Sequence, residues 1–431
     1  MRKLTVKNFS VIKEAELEFG KITVLIGPQS SGKSLLCKLA YFFGGEIIEI
    51  AVESLLSRSS WEEFLEAADR EFSSRFVLGG TIRMSTKVEY SSQSYKAALK
   101  YIGDPLAPEQ TLKFSSYFED LYKSIYGNPA KQATFGTTSR NELRQDLWVE
   151  LSLAVDPKRT EENVYIPSGR SLFTDEGRAV SALQNPNLDS ITRKFYGRIA
   201  WDTKWKVGML TGRGAAGKIE KEMERAARGV VIVADGKPTF VFFDGRILPF
   251  GFLSSGTQEL LPMFNVLSYM AFQQEHIYAR TLSAKISPLA DISEHSPVLY
   301  LEEPEAHVFP ETQYELVKLF ARLSEDPVLS FRWVITTHSP YLLSSFNNLI
   351  EAGQVVRDHP DLRDDVAKIV PEQYWIGEGD FKAYCIHDGK LESILNESGF
   401  VEGNYLDQVS DVIEKEFDQL LRLEYDHTEA S

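Results

Sequence analysis

An α/β fold is what this sequence predicts, on three observations. Apolar runs of strand length, KITVLIG, VLYL and FRWVITT, alternate with helix-periodic stretches. Each of these strands ends in a short polar loop, GPQSSGKS, EEPEAH or THSP, before the next helix. Between the first loop and residue 160 lies mixed text of strand-like and helical runs, read as antiparallel strands and helices flanking the first loop.

LTVKNFS and KITVLIG are short strands, and SLLCKLAYFF places Leu35, Leu36, Leu39, Ala40 and Phe43 at helical spacing, with Gly44 and Gly45 expected to stop that helix. SSWEEFLEAADREF is amphipathic and TIRMSTKVEY strand-like. VYIPSGRS, residues 164–171, is a strand entering a tight loop, and 171–228 an inserted helical segment. GVVIVADGKPTFVFFDGRILPFG holds two short strands around Asp235-Gly236. Pro297 to Leu301 is a buried strand, Pro310 opens a helix through PETQYELVKLFARL, FRWVITT is a strand and SPYLLSSF a helix. A β-hairpin at GEGDFKAYCIHDGKLESIL and a terminal helix at DQVSDVIEKEFDQLL complete the chain. The expected divisions are 1–170, 171–228, 229–350 and 351–431.

Bulk composition narrows the class. The 431 residues are 43% hydrophobic and 25% charged, as in a globular protein with a substantial core. A formal charge of −15 opposes wholesale coating of nucleic acid. Cys37 and Cys385 are too few for a disulfide framework and lack zinc-site spacing, so a reducing cytoplasm is expected. No apolar run approaches the roughly 20 residues needed to span a bilayer, and no membrane partner is expected.

Gly27-Pro28-Gln29-Ser30-Ser31-Gly32-Lys33-Ser34 fits G-x-x-x-x-G-K-[ST] and sits between a strand and the helix that continues through Leu35. Backbone N–H groups at such a helix start favour phosphates, Lys33 would reach the β and γ phosphates, and Ser34 would hold Mg²⁺. The competing reading is a glycine-rich turn that happens to contain Lys-Ser. Gly212-Arg-Gly-Ala-Ala-Gly217 spells a second glycine pattern, but no βαβ unit surrounds it, and a loop before the helix KIEKEMERAAR is the better reading.

VLYL delivers two adjacent carboxylates. Glu302 would bind Mg²⁺ or its water, and Glu303 would orient and deprotonate an attacking water. His338, at the end of the next strand, is the candidate to help position that water; alone it would read as a capping or core histidine. In FLSSGTQELL, Ser254, Ser255, Gly256 and Gln258 form another anion-accepting helix start, although Ser255 with Gln258 also fits a plain capping box.

The ordered set GPQSSGKS, LSSGTQE, LYLEEPEAH and TTHSP resembles the ATP-binding-cassette (ABC) ATPases of the SMC, RecF and Rad50 type, and more closely the OLD-like ATPases, whose YIPSGR-like loop matches at Arg170. The resemblance runs from the first strand to about residue 345. It implies an ABC-type P-loop ATPase head with an antiparallel β lobe and an inserted helical segment, using ATP and Mg²⁺. It implies a head-to-tail homodimer or higher homo-oligomer, in which the loop Ser254 to Gln258 closes over the triphosphate held by the other copy. Glu305 and His307 would lie in the loop joining the two sites. The family's metal-contacting glutamine is open among Gln93, Gln132 and Gln145. OLD proteins continue into a Toprim nuclease, but no Asp-x-Asp follows here. Stand-alone heads of this kind resemble ATPase subunits of anti-phage systems such as PARIS and Septu, which implies a separate Toprim or HNH nuclease as effector.

Residues 190–228 carry ten Lys and Arg against four acids, with Phe195, Tyr196, Trp201 and Trp205 interleaved. This stretch fits a DNA-tracking surface, a dock for an acidic phage protein, or a solvated helical face. Control of a separate effector in defence is the leading expectation. A RecF-like DNA-binding ATPase of repair or recombination is the alternative, and a transporter cassette the third reading.

Overall fold

The computed structural model describes residues 2–76, 85–104, 107–128, 139–156, 159–160, 162–170, 191–195, 197, 214–234, 237–283, 294–402, 417 and 419. Its strands, in chain order, are β1 (Arg2–Phe9), β2 (Ile12–Glu18), β3 (Ile22–Ile26), β4 (Lys87–Ser92), β5 (Tyr95–Asp104), β6 (Ala107–Phe114), β7 (Arg159–Thr160) and β8 (Asn163–Ile166). There follow β9 (Gly229–Ala234), β10 (Lys237–Phe242), β11 (Ile247–Pro249), β12 (Glu294–His295), β13 (Val298–Glu302), β14 (Arg332–Thr336), β15 (Phe381–His387) and β16 (Lys390–Ser393).

Eleven strands form one mixed sheet in the order β6-β5-β4-β1-β2-β16-β15-β3-β14-β13-β8. From β6 to β2 neighbours are antiparallel, giving the expected β lobe. From β15 through β3, β14 and β13 to β8 they are parallel. The C-terminal hairpin β15–β16 therefore stands inside the sheet and joins its two halves. The strands β9, β10 and β11 make a separate antiparallel sheet, as expected around Asp235-Gly236, although that turn itself lies outside the described residues.

Parallel strands carry apolar side chains on both faces because helices cover both. In β13, Val298 and Tyr300 enter one core while Leu299 and Leu301 enter the other, the period of two expected of a strand. The first core is closed by α1 (Lys33–Tyr41), α2 (Ile47–Leu56), α3 (Trp61–Arg75), α4 (Ser116–Tyr126) and α5 (Arg140–Val155), through residues such as Leu36, Phe64, Phe118 and Leu147. The second is closed by α6 (Gly214–Ala227), α7 (Ser255–Ser283), α8 (Pro310–Glu325) and α9 (Pro340–Asp358), through Ile219, Leu260, Leu316 and Leu342. The short α10 (Arg363–Ile369) follows.

Two expectations fail. Gly44 and Gly45 do not stop the first helix; Phe42–Glu46 forms a π-helical turn and the chain runs on into α2. Neither glycine adopts positive φ, so neither is a cap. They are small because of close neighbours: a Cβ on Gly45 would lie 2.4 Å from the Asn163 Cβ, and one on Gly44 3.0 Å from the Tyr300 hydroxyl. In the second glycine pattern, Gly214 to Gly217 are not a loop but the start of α6; Gly212 and Arg213 lie outside the described residues. The helix packs so closely there that a Cβ on Gly214 would strike the Glu275 carboxylate.

The basic stretch is described only in part; Tyr196, residues 198–213 with Trp201 and Trp205, and the terminal helix expected at 407–421, apart from Phe417 and Gln419, lie outside the described residues. Phe195 is buried in the second core. Lys194 pairs with the buried Glu46 carboxylate, which Arg75 also contacts. Burial and the Arg75 charge together hold the Lys194 ammonium down to about 8. Arg225 pairs with Glu222 and Arg228 with Glu311. No helix among the described residues is long and apolar enough to cross a membrane.

Candidate phosphate and metal site at the parallel strand ends

All five parallel strands run the same way, so their C-terminal ends share one edge of the sheet, where open α/β sheets bind ligands. That edge gathers the P-loop after β3, Glu302 and Glu303 at the end of β13, His338 after β14, and Ser168 to Arg170 after β8.

The P-loop takes a conformation only its sequence permits. Gly27 and Gly32 have φ of 150° and 108°, and Ser30 has φ 58°. A Cβ on Gly27 would meet the Ile386 carbonyl of β15 at 2.4 Å, and one on Gly32 the Ile12 side chain at 2.4 Å. Gly32 caps α1 without a side-chain bond, and no acid occupies the first turn, so the N–H groups there are open to an anion. The Lys33 ammonium donates to Gly27 O and Pro28 O, both at 2.8 Å. Burial pulls its pKa below the usual lysine value, against the opposing charges of Glu303 and Glu305.

The two adjacent carboxylates have different surroundings. Glu302 is buried; its Oε1 accepts from the Tyr165 hydroxyl at 2.6 Å and its Oε2 from the Ser168 N–H at 3.2 Å. Glu303, at φ 43°, projects into the open, with its Oε1 3.5 Å from His338 Nε2. Glu305 ties the two strand ends together: its Oε1 accepts from the Thr337 hydroxyl at 2.7 Å and the His338 N–H at 2.6 Å. Sequence reading assigned Glu305 only to communication between sites and missed Tyr165 altogether. The one available signal for Tyr165 was its place in the strand entering the SGR loop.

Three polar atoms at this edge, Ser31 Oγ, Glu305 Oε2 and Thr336 Oγ1, are buried without a hydrogen-bond partner among the described residues. Buried polar atoms are ordinarily paired. A triphosphate with its metal and waters supplies such partners, so the residues present fit Mg²⁺-ATP. Glu302, with lone pairs left after its two bonds, and Ser34, exposed at the start of α1, are the residues that would hold the metal.

The loop Ser254 to Gln258 opens a helix that packs against the chain following β8 and β13, Glu259 meeting Arg170. The capping residue there is Ser254, not Ser255: the Ser254 hydroxyl accepts from the Thr257 N–H at 3.3 Å. Gln258 turns back and donates to Phe250 O and Leu253 O, so it does not close a capping box. Gly256 lies against the chain after Glu303, where a Cβ would meet His307 O at 2.5 Å. Ser254 and Ser255 are exposed, as are Phe252 just before them and Phe309 two residues after His307, at 77% and 76%. Of the three glutamines, Gln93 occupies the exposed β4–β5 turn and Gln145 an exposed position on α5, while Gln132 lies outside the described residues.

Residues 186–343 match the family model of the AAA ATPase domain. That stretch contains Ser254 to Gln258, Glu302, Glu303 and His338 but not the P-loop. No curated protein matches the chain. Among solved structures it is similar to an SMC head bound to the C-winged helix domain of ScpA, at 12% identity over 92% of this chain and 97% of that one, with a TM-score of 0.43. It is similar to the SMC head domain from Thermotoga maritima, at 11% over 92% and 98%, TM-score 0.37. It is also similar to the Smc head domain with an extended coiled coil bound to the C-terminal domain of ScpA derived from Pyrococcus furiosus, at 11% over 96% and 99%, TM-score 0.40.

Proposed function

We propose that this chain binds and hydrolyses ATP at the parallel strand edge, in a pocket completed by a second copy, and that the resulting movement controls a separate effector protein. The observation that carries the first part is the convergence of a glycine-built P-loop, a held carboxylate at Glu302 and an open carboxylate at Glu303 beside His338. The match of 186–343 to an ATPase domain supports the same reading. The second copy is supported by the exposed Ser254 and Ser255 and the exposed Phe252 and Phe309.

Mg²⁺, which Ser34 and Glu302 would hold, would offset the charge of the phosphates when bound. The chain's own groups do the rest. Lys33 leaves its carbonyl partners for the phosphates, whose negative charge favours the ammonium against its burial. Glu303 takes the proton of a water that His338 helps to hold. Residues 171–228 would contact the trigger or the effector. Resemblance to stand-alone subunits of anti-phage systems supports a nuclease as effector. Within the basic stretch Lys194, Arg225 and Arg228 pair with carboxylates, and a RecF-like hold on DNA through its other basic residues is the alternative reading.

The test is turnover of Mg²⁺-ATP by the purified chain. Lys33→Ala should abolish nucleotide binding. Glu303→Gln should keep ATP bound, cut turnover by about 10² to 10⁴-fold and accumulate an ATP-bound pair. Parental turnover by Glu303→Gln would remove the role assigned to that carboxylate.

A further inference from the structure

Arg170 is the largest buried cation of the edge, with none of its surface exposed. Its Nη1 donates to Pro167 O at 2.9 Å and Glu302 O at 2.6 Å, and its Nη2 to Glu303 O at 3.1 Å. Its Nε donates to Glu259 O at 3.4 Å and lies 3.5 Å from the Glu259 carboxylate, which also accepts the Arg170 backbone N–H at 2.9 Å. Glu259 is itself 2% exposed. A guanidinium spans these acceptors because its donors leave a rigid plane in several directions; an ammonium is one point charge.

The consequence falls on Glu303. Its N–H donates to Thr336 O at 2.9 Å, and its carbonyl is taken by Arg170, so the residue is pinned on both sides in a left-handed conformation that an L-residue rarely adopts. Shifting the Cα from which that carboxylate springs requires breaking one of these bonds, so the backbone bonds set where the side chain starts. Glu259 lies one helical turn beyond Ser255 on α7, so the same guanidinium fastens the start of α7 to the backbone of Glu303.

We infer that Arg170 is a positioning residue: held between Glu259 on α7 and the carbonyls of Glu302 and Glu303, it sets the water-activating carboxylate and makes its placement depend on how the Ser254 to Gln258 loop is seated. A second copy's nucleotide pressing on that loop would thereby reach the hydrolytic residue of the chain that owns the loop. The inference rests on the ATPase reading above.

Arg170→Lys and Glu259→Gln test it, each alone and in a Glu303→Gln background, with Mg²⁺-ATP affinity, steady-state turnover and thermal melting read on the full chain. Displacement of a reacting group by about 1 Å costs on the order of 100-fold, so each single variant should lose about that factor in kcat while ATP affinity stays within about twofold. In the Glu303→Gln background neither should add a comparable loss, because the group they position is already gone. Should Arg170→Lys not fold, Glu259→Gln, of the same shape, carries the same comparison. Unchanged kcat, an equal loss in the Glu303→Gln background, or a loss that only tracks the folded fraction overturns the inference while leaving the ATPase reading intact. A wild-type chain that binds no ATP overturns both.

Discussion

At the scale of single residues, the division of labour between Glu302 and Glu303 comes from their neighbours rather than from their identity. Glu302 is pinned by the Tyr165 hydroxyl and the Ser168 N–H, whereas the half-exposed Glu303 carboxylate has His338 as its partner among the described residues. Removing Tyr165's hydroxyl leaves a buried carboxylate oxygen short of a donor and the carboxylate held by the Ser168 N–H. Groups that orient metal ligands are commonly worth 10 to 100-fold in metal affinity. Tyr165→Phe should therefore shift the Mg²⁺ dependence of ATP turnover to about 10-fold higher concentration, with ATP affinity in saturating Mg²⁺ unchanged. A magnesium titration of turnover reads this directly. The P-loop residues and both carboxylates could be found from the sequence because strand and helix patterns flank them. Tyr165, and the tie that Glu305 makes to the next strand end, could not, since these are contacts to residues 137 and 33 positions away.

At the scale of elements, α7 is set by contact as much as by its cap. Its second residue, Gly256, sits where any Cβ would be 2.5 Å from His307 O, a backbone atom with a fixed position after Glu303. Gly256→Ala should force the helix start away from that loop, costing about 1 to 3 kcal/mol as overpacking usually does. Chemical denaturation should register that loss, and turnover should fall with it. The same kind of contact explains the failed expectation at Gly44 and Gly45. A glycine pair after a helical run reads as a stop, but Asn163 and Tyr300, distant in sequence, are what make those positions small. Gly256, Gly44 and Gly45 all show that sequence pattern reports local conformation and is silent about long-range approach.

At the scale of the whole molecule, alternation of apolar strands and helices made the α/β class readable, and the antiparallel lobe followed from mixed text before residue 160. Not readable was the insertion of the β15–β16 hairpin between β3 and β2, because a parallel pairing across more than 350 residues leaves no trace in local periodicity. That insertion places Ile386 O against Gly27, so the far end of the chain helps shape the P-loop. The edge then carries a phosphate cradle after β3 and, against the chain after β8 and β13, an outward helix start, two features that two copies could satisfy reciprocally.

The most direct measurement mixes two disabled forms. Lys33→Ala lacks the phosphate lysine and Ser255→Arg blocks the outward helix start, and neither alone should turn over ATP. With random pairing half of the pairs are mixed and hold one intact pocket out of two, so an equimolar mixture should recover about a quarter of wild-type turnover. No recovery, with association of the two forms intact, would show that each pocket is complete within one chain and contradict the account.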